Sequence, residues 1–355
     1  MAGEVVFSTS MVGYPEAMTD PSFSGQILTF TYPLIGNYGV PKHKEMMPHV
    51  ETDFESEKIW TTGVIVNTYI DTPSHYSSEQ ALSQWLKKEK IPALSGIDTR
   101  ALTEKLRESG VMKGRIVFEG SKSAKGTKGA KGQDGGFIDV NAMDLLTPVS
   151  IKEPILYTPK KPRFKKPIIF FDCGIKHGMI RDLVERNFTV LRVPWNYQVE
   201  NIHDYAGVMI SNGPGDATMA DKTIAEVRKF LTSDIPVFGI CLGNQILCLA
   251  AGGKTYKLKY GHRSSNQPAK DLTTGRAYMT TQNHGFAVDM KSLSKDWEEW
   301  FINLNDGTNE GIRHKTKPYF TVQFHAEANP GPEDTAWLFD YFGQKIEKYE
   351  KAKGK

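Results

Sequence analysis

The chain has 355 residues, 39% of them hydrophobic and 24% charged, with a net charge of +3. That is enough for two domains with separate cores, and a charge too near balance to argue for nucleic acid. Three cysteines, Cys173, Cys241 and Cys248, are too few for a disulfide framework and lack metal-site spacing, so no metal is expected. No run reaches membrane-helix length, so no membrane partner is expected either. The start, MAGEVVFSTS, is neither a signal peptide nor an Arg-rich transit peptide. A cytoplasmic setting follows, or a mitochondrial one if a transit segment has been removed.

In chain order, GEVVF, QILTFTYP and GVIVNTYI have strand composition, and Ser78–Lys88 and Thr99–Ser109 have helical patterns. The second helix has Asp98 or Thr99 as N-cap, Leu102 and Leu106 on one face and Gly110 as its stop. These predict an N-terminal α/β domain over 1–155. Within it, 121–136 (SKSAKGTKGAKGQDGG) reads as a flexible basic loop, because glycine at every third place without proline cannot sustain a collagen helix. TPKKPRFKKP then marks a linker at 156–166, followed by a second domain over 167–349 and a tail at 350–355.

The second domain alternates strands and helices. Apolar runs at 168–172, 189–193, 207–211, 236–240 and 319–324 enclose helical segments at His177–Arg186, Asp221–Leu231 and Gln245–Ala251. Continuous apolar strands of this kind predict a mainly parallel sheet flanked by helices. Ligands on such sheets sit at the carboxyl ends of strands.

Three of those ends carry chemistry. SNGPGD (211–216) is either a tight turn or a loop whose bare backbone N–H groups approach a ligand. Cys241 follows a strand and precedes a helix starting near Asn244, with Gly239 and Gly243 as small neighbours. A nucleophile on such a turn needs small neighbours, and a helix N-terminus favours a thiolate. A cysteine after a strand is otherwise a core residue, the reading given to Cys173 and Cys248. His325 and Glu327 follow the last strand, where positions i and i+2 face one way and the carboxylate can orient the imidazole. Alone, that pair is no more than a surface pair; with the other two strand ends it becomes part of a nucleophilic site.

FGICLGNQ, SNGPGD, TQNHGF (281–286) and VQFHAE resemble class I, triad-type glutamine amidotransferases. MVGYPEAMTDPSFSGQILTFTYPLIGNYG (11–39), GIDTRALTEKLRESG (96–110), FDCGIKHGMIRDLVER (171–186), VPWN, QNHGFAVD and NDGTNEGIRH resemble carbamoyl phosphate synthase small subunits, over nearly the whole chain. The resemblance implies Cys241 as nucleophile, His325 as proton carrier and Glu327 as its orienter. It further implies an oxyanion hole from the N–H groups of Leu242 and Gly213. Glutamine would be bound by Ser22, Gly213, Gly215, Leu242, Gln245, Asn283, Gly285 and Phe286, with Ser22 coming from the N-terminal domain. The released ammonia would pass to a large synthetase subunit that holds ATP, Mg and bicarbonate and forms carbamoyl phosphate, for arginine or pyrimidine synthesis. No cofactor is expected on this chain, since neither GPG nor GTKGAKG has the P-loop pattern.

Some positions depart from the family. Asn244 stands where it has histidine, and His-Ala-Glu replaces His-Pro-Glu; neither removes a reacting atom. The family also carries a stretch ahead of GEVVF, so an incomplete N-terminal sheet edge is expected. Two other readings stay open: a different class I amidotransferase, against which the 11–39 block argues, and a non-catalytic scaffold subunit, against which Cys241, His325 and Glu327 argue.

Overall fold

The computed structural model describes residues 1–118 and 137–353; the basic stretch 121–136 lies outside the described residues. The chain divides into two compact units, Met1–Leu145 and Leu146–Lys355.

The first unit contains β1 (Ala2–Ser8), α1 (Tyr14–Thr19), β2 (Gln26–Phe30), β3 (Glu45–Met47), β4 (Val50–Glu51), β5 (Gly63–Ile65), α2 (Leu82–Lys88), β6 (Ala93–Leu94), α3 (Thr99–Ser109) and β7 (Met112–Arg115). Its sheet runs β6-β5-β2-β1-β7, parallel except for the antiparallel pairing of β7 with β1. β1 is therefore flanked on both sides, and the sheet edge next to it is β7 rather than the first strand. Asp98 caps α3 by accepting from the Ala101 N–H at 3.0 Å, and Gly110 ends it at φ 85°. Leu106 on that helix is buried and Leu102 half-buried. Val6, Leu28, Phe30, Val64 and Trp85 build the core between sheet and helices.

The second unit starts with α4 (Leu146–Val149) and β8 (Ile155–Tyr157), then β9 (Ile168–Asp172), α5 (His177–Glu185), β10 (Val190–Pro194), β11 (Gly207–Ile210), α6 (Asp221–Phe230), β12 (Val237–Ile240) and α7 (Leu242–Ala250). It continues with β13 (Lys254–Asp271), β14 (Ala277–Asp289), β15 (Trp297–Asn303), β16 (Asn309–His314), β17 (Tyr319–Val322) and α8 (Trp337–Lys353). One sheet joins them in the order β14-β13-β15-β16-β17-β12-β11-β9-β10-β8. Its middle, β10-β9-β11-β12-β17, is parallel. These are the apolar runs of the sequence, buried on both faces by helices, as parallel strands require. Antiparallel strands extend the sheet on both sides.

The division falls earlier in the chain than the linker read from TPKKPRFKKP. β8 is an edge strand of the second unit's sheet, and the segment after it packs onto the same unit. Phe164 is buried, and the Arg163 guanidinium meets Glu347 of α8 at 2.7 Å. Residues 350–353, read as a tail, are the last turn of α8. No helix among the described residues is long and apolar enough to cross a membrane.

From β9 the chain moves one way to β10 and then returns past β9 to β11, so the sheet order reverses beside β9. The carboxyl ends flanking such a reversal form the crevice of an open α/β sheet. The segments leaving β9, β11, β12 and β17 all emerge at the carboxyl ends of these parallel strands. Ile169, fully buried on β9, holds this platform. Ile169→Ala is expected to cost about 2–5 kcal/mol in equilibrium denaturation; a loss below about 0.5 kcal/mol, the range of surface substitutions, would contradict this packing.

Candidate active site

Cys241 occupies the N-cap position of α7, which begins at Leu242, two residues before the start read from the sequence. Its backbone has φ 57° and ψ −105°, outside the usual regions for a residue with a Cβ. Such a conformation costs on the order of 1–3 kcal/mol and persists only where its surroundings impose it. The Cys241 N–H donates to Val322 O at 2.9 Å, extending the β12–β17 ladder into the turn. On the other side, a Cβ on Gly243 would collide with Ile210 O, and one on Gly239 with Gly243 O. The two glycines let α7 press against β11 and β12, and this contact forces the turn that lifts the thiol. The sulfur is buried and donates to Asn283 O at 3.6 Å.

SNGPGD leaves β11 as a loop, with Gly215 at φ 79°. A Cβ on Gly213 would strike Cys173 O and come within 2.8 Å of the Leu242 side chain, so the loop backbone lies against the start of α7. The first N–H groups of a helix have no intrahelical acceptor, which makes this corner a place for negative charge.

His325 follows β17 and is held on its strand by its N–H to Thr281 O at 2.8 Å. Its Nδ1 meets Glu327 Oε1 at 2.6 Å, with both side chains buried. The turn after it reverses sharply, with Ala328 at φ 56° and Asn329 at φ 41°. Burial alone would push His325 toward its neutral form, but the Glu327 carboxylate more than offsets this and raises the imidazole to about 10. Burial likewise pushes Glu327 up; Lys176 first and His325 second outweigh it and hold the carboxyl well below its usual range.

Lys176 is the residue that sequence reading missed. It sits at the turn after β9, 2% exposed, with Nζ 3.0 Å from Glu327 Oε1 and donating to Ala328 O at 2.6 Å. Its own N–H donates to Asn212 Oδ1 at 3.0 Å, tying the turn to the glycine loop. Asp172 shapes that turn by accepting from the N–H groups of Gly174 and Ile175 at 3.0 and 2.9 Å. A lysine inside FFDCGIKHGMI, at a strand end among apolar residues, was the available signal.

The expected glutamine-binding residues fall into two groups. Gly213, Gly215, Leu242, Gln245, Asn283, Gly285 and Phe286 all lie in the second unit, on the glycine loop, on α7 or on β14. Gln245 donates from Nε2 to Phe286 O and to Gln323 Oε1, both at 3.2 Å. Ser22 belongs to the first unit, buried in a short 3-10 turn whose Asp20 cap accepts its N–H at 2.9 Å.

Asn244 is fully buried below Gln245. It accepts from Thr321 Oγ1 at 2.6 Å and donates to Gln323 Oε1 at 2.9 Å. Thr321, Asn244 and Gln323 therefore form a chain that fixes the orientation of the Gln245 carboxamide. An asparagine meets both partners here, so the departure from histidine leaves no gap. Cys173 and Cys248 are core thiols, each pushed up to about 12 by burial.

A strained strand-end cysteine, a buried His–Glu pair and a glycine loop thus stand at the carboxyl ends of one parallel sheet. The model of the class I glutamine amidotransferase family matches residues 169–345, and that of the carbamoyl-phosphate synthase small chain, CPSase domain, matches residues 1–116. The chain is similar to the arginine-specific small chain of carbamoyl phosphate synthase from Neurospora crassa, with 46% identity over 99% of this chain and 76% of that one. It is also 47% identical to the multifunctional protein pyr1-3 of Dictyostelium discoideum, over 96% of this chain and 16% of that protein. A solved glutamine amidotransferase from Thermotoga maritima aligns at 19% identity with a TM-score of 0.41, over 53% of this chain and 86% of that one. The chain belongs to the carbamoyl phosphate synthase small-chain family.

Lys176→Met removes the largest influence that lowers Glu327. The carboxylate then protonates at higher pH, and its bond to the imidazolium fails earlier on acidification. The acid limb of kcat for glutamine hydrolysis should move up by about one unit or more, with a stability loss of about 3–5 kcal/mol from the broken buried pair. An unmoved acid limb in pH–rate profiles would contradict this.

Proposed function

We propose that this chain hydrolyses L-glutamine at Cys241 and delivers the ammonia to a large synthetase subunit. His325 Nε2 takes the Cys241 thiol proton as the sulfur attacks the side-chain amide carbon, and the carbonyl π electrons move to oxygen. The N–H groups of Leu242 and Gly213 hold that oxyanion, donors that need no reorganisation as charge develops. Collapse re-forms the carbonyl and breaks the C–N bond; His325 gives its Nε2 proton to the departing nitrogen, leaving ammonia and a γ-glutamyl thioester. His325 then takes a proton from water as the oxygen attacks the thioester, and returns it to the sulfur as glutamate leaves. Glu327 holds the imidazole through Nδ1 in both halves, and Lys176 keeps Glu327 ionised. Gln245, Asn283, Gly285, Phe286 and Gly215 line the substrate. The reaction so written needs no cofactor on this chain.

The observation that carries this reading is the buried chain Lys176–Glu327–His325, which ends on a buried imidazole electrostatically coupled to Cys241. A solvated surface pair would have neither the burial nor the third charge.

Ammonia becomes useful only where it is activated for C–N bond formation, and this chain has no phosphate-binding motif for ATP. The large subunit would hold ATP, Mg and bicarbonate and form carbamoyl phosphate, serving arginine or pyrimidine synthesis. The test is reconstitution with a large subunit. Cys241→Ala should lower glutamine-dependent carbamoyl phosphate formation by about a thousandfold or more and leave ammonia-dependent formation intact. Persistence of the glutamine-dependent reaction would overturn the assignment of the nucleophile.

A further inference from the structure

Behind the strand that carries Asn283, Gly285 and Phe286, three chemistry-bearing side chains converge away from Cys241. His262 on β13 and His284 on β14 are cross-strand partners with ring centroids 4.8 Å apart. Glu310 reaches them from β16, and all three are buried. Their nearest donor atoms lie within 4.8 Å of one another.

The hydrogen bonds around the cluster decide which nitrogens carry protons. His262 Nε2 lies 2.9 Å from Asp306 Oδ2, an acceptor, so Nε2 carries hydrogen; Nδ1 holds a second proton in the imidazolium, which the two carboxylates favour, and a lone pair in the neutral ring. That nitrogen faces Glu310 Oε1 at 3.3 Å. His284 Nδ1 lies 2.8 Å from Phe286 O, again an acceptor, so its Nε2 presents a lone pair. It faces the same carboxylate oxygen at 3.8 Å and Gln282 Oε1 at 3.3 Å. Gln282 is fixed in that orientation because its Nε2 donates to Thr280 Oγ1 at 3.1 Å. Two imidazole nitrogens, an amide oxygen and a carboxylate thus meet in a buried space. The amide of Asn303 donates there, 3.1 Å from Glu310 Oε1 and 3.4 Å from His262 Nδ1. Glu310 Oε2 is buried with no hydrogen-bond partner among the described residues.

A buried carboxylate oxygen beside two imidazoles is met either by protons on the rings or by a metal ion between them. We propose that His262 Nδ1, His284 Nε2 and Glu310 form a binding site for a divalent transition-metal ion, zinc by the character of its donors. Two nitrogens and one carboxylate are a zinc ligand set, and Gln282 Oε1 is placed as the fourth donor. The outer contacts have the form that metal-bound histidines require: each ring donates its other N–H, one to a carboxylate and one to a backbone carbonyl. Zinc at about 2.0–2.2 Å from each donor needs the three groups to draw in from their present spacing, a movement within side-chain rotation. The ion would be structural. It would pin β13, β14 and β16 together directly behind the strand that lines the candidate glutamine site, and the site is independent of how that chemistry is assigned.

The test uses the full chain purified without chelator, then dialysed against zinc and passed through a desalting column. Plasma mass spectrometry should find one zinc per chain, and EDTA should lower Tm by several degrees. Glu310→Gln keeps the shape of the side chain but removes the charge; it should weaken zinc binding at least tenfold and lose the EDTA-dependent shift. Cys241→Ala should retain the ion. Absence of zinc from the wild-type chain after this treatment, which is what protons on the two imidazoles would produce, overturns the proposal. So does loss of the ion in Cys241→Ala with retention in Glu310→Gln, which would put the zinc at the nucleophile.

Discussion

Everything at the candidate site depends on keeping three charges in a place without water. Lys176, Glu327 and His325 come from the ends of two strands that are not neighbours in the sheet, yet their side chains are almost wholly buried together. Removing an ion from water costs several kcal/mol, and mutual attraction recovers it only where geometry is close and remaining hydrogen bonds are met. Here Lys176 also donates to Ala328 O, and the carboxylate lies within 3.0 Å of both cations. The parallel platform makes such precision attainable. Its rigid strand ends hold the loops that carry each charge, and any misplacement would leave a buried charge unpaired.

The nucleophile turn obeys a second constraint of the same kind. Cys241 takes a backbone conformation that isolated chains avoid, because α7 lies so close to β11 and β12 that only glycine fits at 239 and 243. Strain and close packing are one feature. The helix that imposes the turn also brings its N-terminal amides beside the glycine loop, and beneath it Asn244, Thr321 and Gln323 orient Gln245. The residues proposed for attack, oxyanion support and substrate contact thus share one short segment, which accounts for the compactness of the motif FGICLGNQ.

Much of this was legible in the sequence because parallel strands buried on both faces leave unbroken apolar runs. Residues 168–172 are β9 as read, and the segments at 207–211, 236–240 and 319–324 differ from β11, β12 and β17 only at their ends. Cys241, the glycine loop and His325-x-Glu327 could be placed because each follows such a run directly. The long β13–β14 hairpin escaped notice: it is rich in polar residues, with bulges that break its alternation. Lys176 escaped for a different reason. Its partner is 151 residues away, and the apolar residues around the lysine do not say what it pairs with. The linker reading failed because lysine and proline look solvated, while Phe164 among them inserts into the second unit's core.

In the proposed reaction this charge chain serves a cysteine that becomes acylated. Acid quenching during turnover, followed by mass spectrometry of the Cys241 peptide, measures that directly. The mechanism requires a γ-glutamyl adduct on Cys241 whose level during turnover rises when hydrolysis of the thioester is slowed. Glutamate production with no adduct on Cys241, or with the adduct on Cys173 or Cys248, would contradict it.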